Sequence, residues 1–117
     1  MGGAGKDILF GGSGDGIQDA FVFTTLAETA VGTNRDVVYD FVSGIDILDL
    51  ATIDANTAVG GNQAFVFSGT TAQANSVWYG QVGSDVLVRG DNNGDGVADF
   101  EVMVANIATL STGDFVL

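Results

Sequence analysis

The segment GGAGKDILF, residues 2–10, constrains the fold more than any other part of the chain. Glycine stands at 2, 3 and 5, aspartate at 7 and a large apolar residue, Leu9, two positions later. Glycine-rich backbone reaches left-handed and close-approach conformations that a Cβ forbids, so the first six residues can bend into a tight loop with converging carbonyl oxygens. The Asp7 carboxylate closes a hard, all-oxygen cage of the kind that suits Ca²⁺. The last three residues then form a short strand, and Leu9 is its inward side chain.

The spacing recurs with damage. GGSG at 11–14 restarts it, but Gly16 occupies the aspartate slot and the aspartate arrives late as Asp19, ahead of an inward Phe21. Asp15 can also point into this loop. Thr24–Thr29 reads as a polar crossover with room for one helical turn at Leu26–Glu28. Residues 31–39 keep Gly32, Asp36 and Val38 in register, with Asn34 at a glycine slot, and residues 41–49 keep Gly44, Asp46 and Leu48. G-G-x-G-x-D-x-U-x, with U a large apolar residue, is the calcium-binding β-helix repeat of RTX proteins. In such a coil the loop at 2–7 faces the loop at 31–36, and 11–19 faces 41–46. Asp7 would share a cage with Asp36, and Asp19 with Asp46. Main-chain oxygens near Gly2, Ala4, Thr33, Ser43 and Ile45 would supply further ligands.

From Asn62 the rhythm changes to longer alternating strands. These are expected at Ala64–Ser68, Ser76–Gln81, Val86–Arg89 and Asp99–Asn106, with a hairpin turn at Val82–Asp85. Phe100, Val102 and Val104 share one face of the last strand, and Trp78 reads as a core or lid aromatic. The loop DNNGDGVAD, residues 91–99, carries Asp91, Asn93, Asp95 and Gly96 at the spacing of the first half of an EF-hand loop, with Asp99 at the ninth position. Its twelfth position is Val102, and Glu101 falls one residue early. The loop is therefore either a weak calcium site or a polar turn held by its own Asn and Asp side chains. The sequence closes with Asp114, Phe115, Val116 and Leu117, which suits a final edge strand or a tag read by another protein.

Charge and composition narrow the functions. Fifteen acidic residues face three basic ones, Lys6, Arg35 and Arg89, for a net charge of −12. Nucleic acid and anionic membrane surfaces are poor partners for such a chain. The absence of cysteine and histidine removes disulfides, thiol chemistry and the commonest general base. No window is apolar enough for a helical membrane span. No N-terminal signal peptide follows Met1, and the chain opens inside a repeat, as a truncated domain would.

The first repeat, YDFVSGIDILDL at 39–50, GDNNGDGVADFEV at 90–102 and the closing DFVL occur in one order. Together they resemble the C-terminal domain of serralysin-type secreted metalloproteases. The resemblance implies an all-β fold, a short parallel β-roll of RTX repeats continuing into an antiparallel β meander or sandwich. The roll is expected over residues 1–61 with degenerate repeats and the antiparallel part over 62–117, the two forming one compact domain. It also implies Ca²⁺ as the bound ion and an upstream catalytic or adhesive domain in the parent protein. A secretion signal at Asp114–Leu117, read by a type I secretion apparatus, and an extracellular bacterial location follow from the same resemblance. The zinc-binding H-E-x-x-H of the protease domain cannot be present in a chain without histidine, so no enzyme activity is expected. Carboxylate pairs such as Asp46/Asp49 could in principle act as acid and base, but nothing distinguishes them from calcium ligands or strand-end residues, and no activated nucleophile is apparent. A competing expectation is an adhesive or polysaccharide-binding module that displays Tyr39, Trp78 and Tyr79. An open roll end would also permit end-to-end self-association.

Overall fold

Short runs of β-branched and aromatic residues between Gly- and Asp-rich turns produce short strands, and their order decides the architecture. The structure is a computed structural model describing residues 6–11, 16–24, 31 and 35–117. The strands are β1 (Ile8–Phe10), β2 (Ala20–Val22), β3 (Asp36–Tyr39), β4 (Ile47–Asp49), β5 (Val66–Phe67), β6 (Ser76–Val82), β7 (Asp85–Gly90), β8 (Phe100–Val104) and β9 (Phe115–Val116). A 3-10 turn, Thr112–Asp114, leads into β9. The expected crossover helix at 26–28 falls outside the described residues.

The strands form two sheets. The larger has the order β1-β3-β8-β7-β6-β5, and the smaller β2-β4-β9. Within the roll every pairing is parallel: β1 on β3 and β3 on β8 in one sheet, β2 on β4 and β4 on β9 in the other. The chain thus alternates between sheets and completes three rungs, β1/β2, β3/β4 and β8/β9. Residues 50–99 are inserted between the second rung and the third. They contain the antiparallel hairpin β6–β7, which joins β8 by a second antiparallel pairing, and β5, which lies parallel to β6.

The fold class is the expected one, a parallel β-roll running into an antiparallel meander. The meander lies beyond the third rung, at one end of the roll: it continues the larger sheet, because β8 pairs with β3 on one edge and with β7 on the other. After residue 62 the chain returns from the smaller sheet to the larger one, and its strands become longer and partly antiparallel.

The inward slots carry the core. Phe21, Val38 and Leu48 are buried, Leu9 packs partly buried against them, and Phe100, Val102 and Val104 continue the layer along β8. Phe67 and Phe115 close the gap between the two sheets with ring centroids 5.1 Å apart. Trp78 is 6% exposed, as expected of a core or lid aromatic. In register, Trp78 lies opposite Arg89 and Arg89 opposite Glu101, on the face of the sheet away from Val77 and Val88.

Candidate metal centre

The loop between β7 and β8 is built around one carboxylate. Asp91 has no exposed surface. Its Oδ1 accepts the amides of Asn93 and Gly94, and its Oδ2 accepts those of Gly96 and, at 3.4 Å, Asn75. To aim those amides inward, Gly94 and Gly96 adopt φ of 84° and 76°, a region in which side-chain-bearing residues are strained. The base of the loop is closed by Asp99 N–H on the Gly90 carbonyl. Asn93 Oδ1 accepts the Asp95 amide, and Asp95 Oδ1 accepts the Val97 amide.

This winding brings one carboxylate oxygen from each of Asp91, Asp95 and Asp99 within 4.8 Å of the others. Oxygens that close need only a small adjustment to share one Ca²⁺ at its ordinary contact distance of about 2.4 Å. The electrostatics differ between the partners. Burial pushes the Asp91 carboxyl up, but the Gly96, Asn93 and Gly94 amides outweigh it and hold the group below the ordinary carboxylate value of 3.8. Burial raises Asp99 above that value, and the negative charges of Asp91 and Asp95 add to the rise against the Asn92 amide. A cation at this cluster would relieve that strain, so the donor set fits a hard ion.

The loop departs from a full EF-hand as the sequence indicates. Val102 is 1% exposed in the core and cannot act as a ligand. Glu101, one residue early, is committed elsewhere: its Oε2 accepts Arg89 Nε at 2.8 Å and its Oε1 accepts Arg35 Nη1 at 3.3 Å. The Asn93 side chain contributes within the loop, with Nδ2 on Asp99 Oδ1.

The aspartates of the repeats lie at the turn edges of the rungs. Asp7 N–H donates to Asp36 Oδ1 at 2.8 Å, and Asp19 N–H donates to Asp46 Oδ1 at 2.9 Å. The structure therefore brings together the two pairs read as shared cages. Asp36 has no exposed surface, and Asp46 has 3%. Asp7 Oδ2 is buried and accepts no hydrogen bond from the described residues, which marks a place where a cation or a further donor would be favourable. Asp46 Oδ2 accepts the Val42 amide and so closes its own turn. Gly2, Ala4 and Thr33 lie outside the described residues, as does Asp15. Ser43 and Ile45 are exposed on the turn, and the Ser43 hydroxyl donates to Asp114 Oδ2 at 2.7 Å.

Two features escaped the sequence reading. The first is the Arg35–Glu101–Arg89 cluster, signalled only by a lone glutamate within the apolar strand FEVMV. The second is Asp114. Instead of heading a loose tail it has no exposed surface, and it accepts Gly44 N–H at 2.8 Å and Ser111 N–H at 2.8 Å as well as the Ser43 hydroxyl.

The profile of the family described as Peptidase M10 serralysin C terminal matches residues 1–117. The chain belongs to that family. No curated protein sequence matches it. Among solved structures, this serralysin C-terminal domain is similar to the AlgE6R2 subunit of the Azotobacter vinelandii mannuronan C5-epimerase, with 23% identity and a TM-score of 0.61. That match covers 98% of this chain and 67% of the other. The AlgE6R3 subunit of the same enzyme gives 25% identity and a TM-score of 0.62, covering 98% of this chain and 60% of the other. The likeness bears out the β-roll. It speaks for the fold, and a shared fold does not by itself carry an activity. Among the described residues no helix is long and apolar enough to cross a membrane.

Proposed function

We propose that this domain is a non-catalytic calcium-binding module of a secreted bacterial RTX protein, one that folds on Ca²⁺ outside the cell and supports type I secretion. The observation that carries the reading is the convergence of Asp91, Asp95 and Asp99 oxygens within 4.8 Å, on a loop where burial and the neighbouring Asp91 and Asp95 charges raise the Asp99 carboxyl above its ordinary value. The Asp7–Asp36 and Asp19–Asp46 edges are proposed as further sites. Bound Ca²⁺ would supply the positive charge that these carboxylates lack.

The residues act through linkage. Without a cation, a chain of net charge −12 repels itself at its loops. With one, each occupied site adds stability. At ten times the dissociation constant the gain is about 1.4 kcal/mol per site, a sizeable share of the roughly 5–15 kcal/mol that holds a domain folded. Affinities near those of extracellular modules, about 10⁻⁴–10⁻³ M, would leave the sites empty in a cytosol and filled outside.

A polysaccharide-binding role finds less support. Of the three aromatics it would display, Trp78 is buried and Tyr79 stacks on Phe67, which leaves only the half-buried Tyr39 against the exposed Phe10. The test is a Ca²⁺ titration followed by far-ultraviolet circular dichroism, from chelator to about 10 mM, with Mg²⁺ as control. A steep, Ca²⁺-specific gain of β signal is expected. A chain that is fully folded in chelator and indifferent to Ca²⁺ would overturn the reading.

A further inference from the structure

We propose that Asn93–Gly94 and Asp95–Gly96 are sites of spontaneous backbone modification through a succinimide, and that the buried Asp91 carboxylate suppresses both reactions for as long as the loop is folded. Neither half of this depends on a bound ion, so it goes beyond the calcium reading.

Asn93–Gly94 is the only Asn–Gly pair in the chain, and Asp95–Gly96 follows it directly. Such pairs are chemically weak because glycine has no side chain to shield the backbone nitrogen that follows the side-chain amide or carboxyl. In the first pair the Gly94 nitrogen gives its proton to a base in solution and bonds to Asn93 Cγ. The Cγ–Nδ2 bond breaks and ammonia leaves, which closes a cyclic imide. Water then opens the ring at Cγ to give aspartate, or at the main-chain carbonyl to give isoaspartate with an extra methylene in the backbone. In the second pair the Gly96 nitrogen bonds to Asp95 Cγ and water leaves. Ring opening takes the water back, so isoaspartate forms there without a change of mass.

Solvent access does nothing to prevent this, since Asn93, Gly94 and Asp95 are all exposed. The hydrogen bonds do. The attacking nitrogen of each pair donates its proton to the same carboxylate, Gly94 N–H to Asp91 Oδ1 at 3.0 Å and Gly96 N–H to Asp91 Oδ2 at 2.7 Å. Asp91 has no exposed surface, so water does not compete for those oxygens. Removing either proton would set a negative nitrogen against a buried negative oxygen, a repulsion that raises the cost of the first step. The groups under attack are held as well. Asn93 Oδ1 accepts the Asp95 amide, Asn93 Nδ2 donates to Asp99 Oδ1 at 3.2 Å, and Asp95 Oδ1 accepts the Val97 amide. Ring closure at either pair must therefore break the loop's own bonds first. The unfolded chain has none of these restraints, so time spent unfolded is recorded as isoaspartate. That product lengthens the backbone between the amides that Asp91 collects and spoils the spacing on which the loop depends.

The experiment incubates the 117-residue chain in mildly alkaline buffer with Ca²⁺, with chelator and with urea, and circular dichroism is recorded in parallel. Trypsin cleavage after Arg89 isolates residues 90–117. Reaction at Asn93 is read as the mass gain of an amino-to-hydroxyl exchange, and isoaspartate at 95 as a chromatographically separate peptide of unchanged mass. Both products should form at least about tenfold more slowly wherever the chain is folded, since the loop must open before it reacts. Equal rates in folded and urea-unfolded chains would overturn the proposal. The calcium reading fails differently: a chain that is folded in chelator and still protects both pairs removes that reading and supports this one. Asp91→Asn keeps the shape of the side chain but has a single accepting oxygen, which can serve Gly94 or Gly96 but not both. In the folded variant at least one pair should react about fivefold faster, the worth of roughly one hydrogen bond. Acceleration at neither pair would sink the role given to Asp91. Hydrogen exchange on the unsubstituted chain decides the same point without a variant. Gly94 and Gly96 amides that exchange at least about tenfold more slowly than in urea support the guard, and exchange at the unfolded rate removes it.

Discussion

Between the first and second rungs, Asp36 and Asp46 each accept an amide from the rung before, and Asp7 keeps a buried oxygen without a donor among the described residues. Between the second and third rungs the corresponding positions hold different chemistry. On the larger sheet, Arg35 and Arg89 clamp Glu101; on the smaller, Asp114 is saturated by Ser43, Gly44 and Ser111. Both boundaries bury negative charge at the turn edges. The first leaves part of that charge for an outside cation to balance, while the second balances it with the protein's own donors. The calcium dependence that the rung edges themselves contribute should therefore be strongest at β1/β2 and weakest at β8/β9, with the 91–99 loop ahead of β8 as a separate site.

The severest way to break that contrast is Glu101→Ala. It strands two arginines at the junction of β3, β7 and β8, and should cost about 3 kcal/mol, the low end for a broken buried pair because the arginines keep some solvent. Urea denaturation should show the same loss in chelator and in Ca²⁺; a loss confined to Ca²⁺ would put the third rung on the metal-dependent side. Asp36→Ala probes the other boundary. Its cost should be larger in Ca²⁺ than in chelator by about 1.4 kcal/mol at ten times the dissociation constant, and isothermal titration should count one calcium fewer. Unchanged stoichiometry would remove the Asp7–Asp36 edge from the proposed sites.

The smallest effect has the opposite sign. Asp99→Asn removes a carboxyl whose pKa is raised by burial and by the charges of Asp91 and Asp95, so the metal-free protein at pH 7 should gain about 0.5 kcal/mol, the scale of a partly exposed charge interaction. A raised carboxyl contributes stability that is complete below 3.8 and lost as pH rises through its folded value. The advantage of the variant should accordingly be full at pH 7 and fade as pH falls toward 3.8. Thermal melts of both proteins across that interval, in chelator, check the trend. Calcium binding by the 91–99 loop should weaken in the same variant.

The roll was legible because its inward residues are local and periodic. Phe21, Val38 and Leu48 could be picked from spacing alone, and each is buried. The two strands of the third rung were legible, the last one as an edge strand, but their place in the roll was not, for a reason of register. Phe115 pairs with Leu48, which sets Asp114 opposite Ile47 and not opposite Asp46, so the nine-residue spacing misses it. Its loop, Ser111–Gly113, also lacks the glycine pairs that mark the first repeat. The 91–99 loop was readable as far as its ligand types, but not the role of Asn75, whose amide approaches Asp91 from the turn ahead of β6. Glu101 shows the limit most clearly. A charge in an apolar strand announces that a partner exists, but the partners, Arg35 at 66 residues' distance and Arg89 at 12, are known only once the sheet is assembled.

The insertion of residues 50–99 between the second and third rungs also has a consequence for folding time. Hairpin β6–β7 joins neighbours in sequence and can form early, but β3 and β4 find their last parallel partners only across a long loop, whose closure entropy must be met before any contact rewards it. During synthesis the second rung must also wait for residues 115 and 116 to be made. The module is thus slow by topology, and it stays open for most of the life of the growing chain.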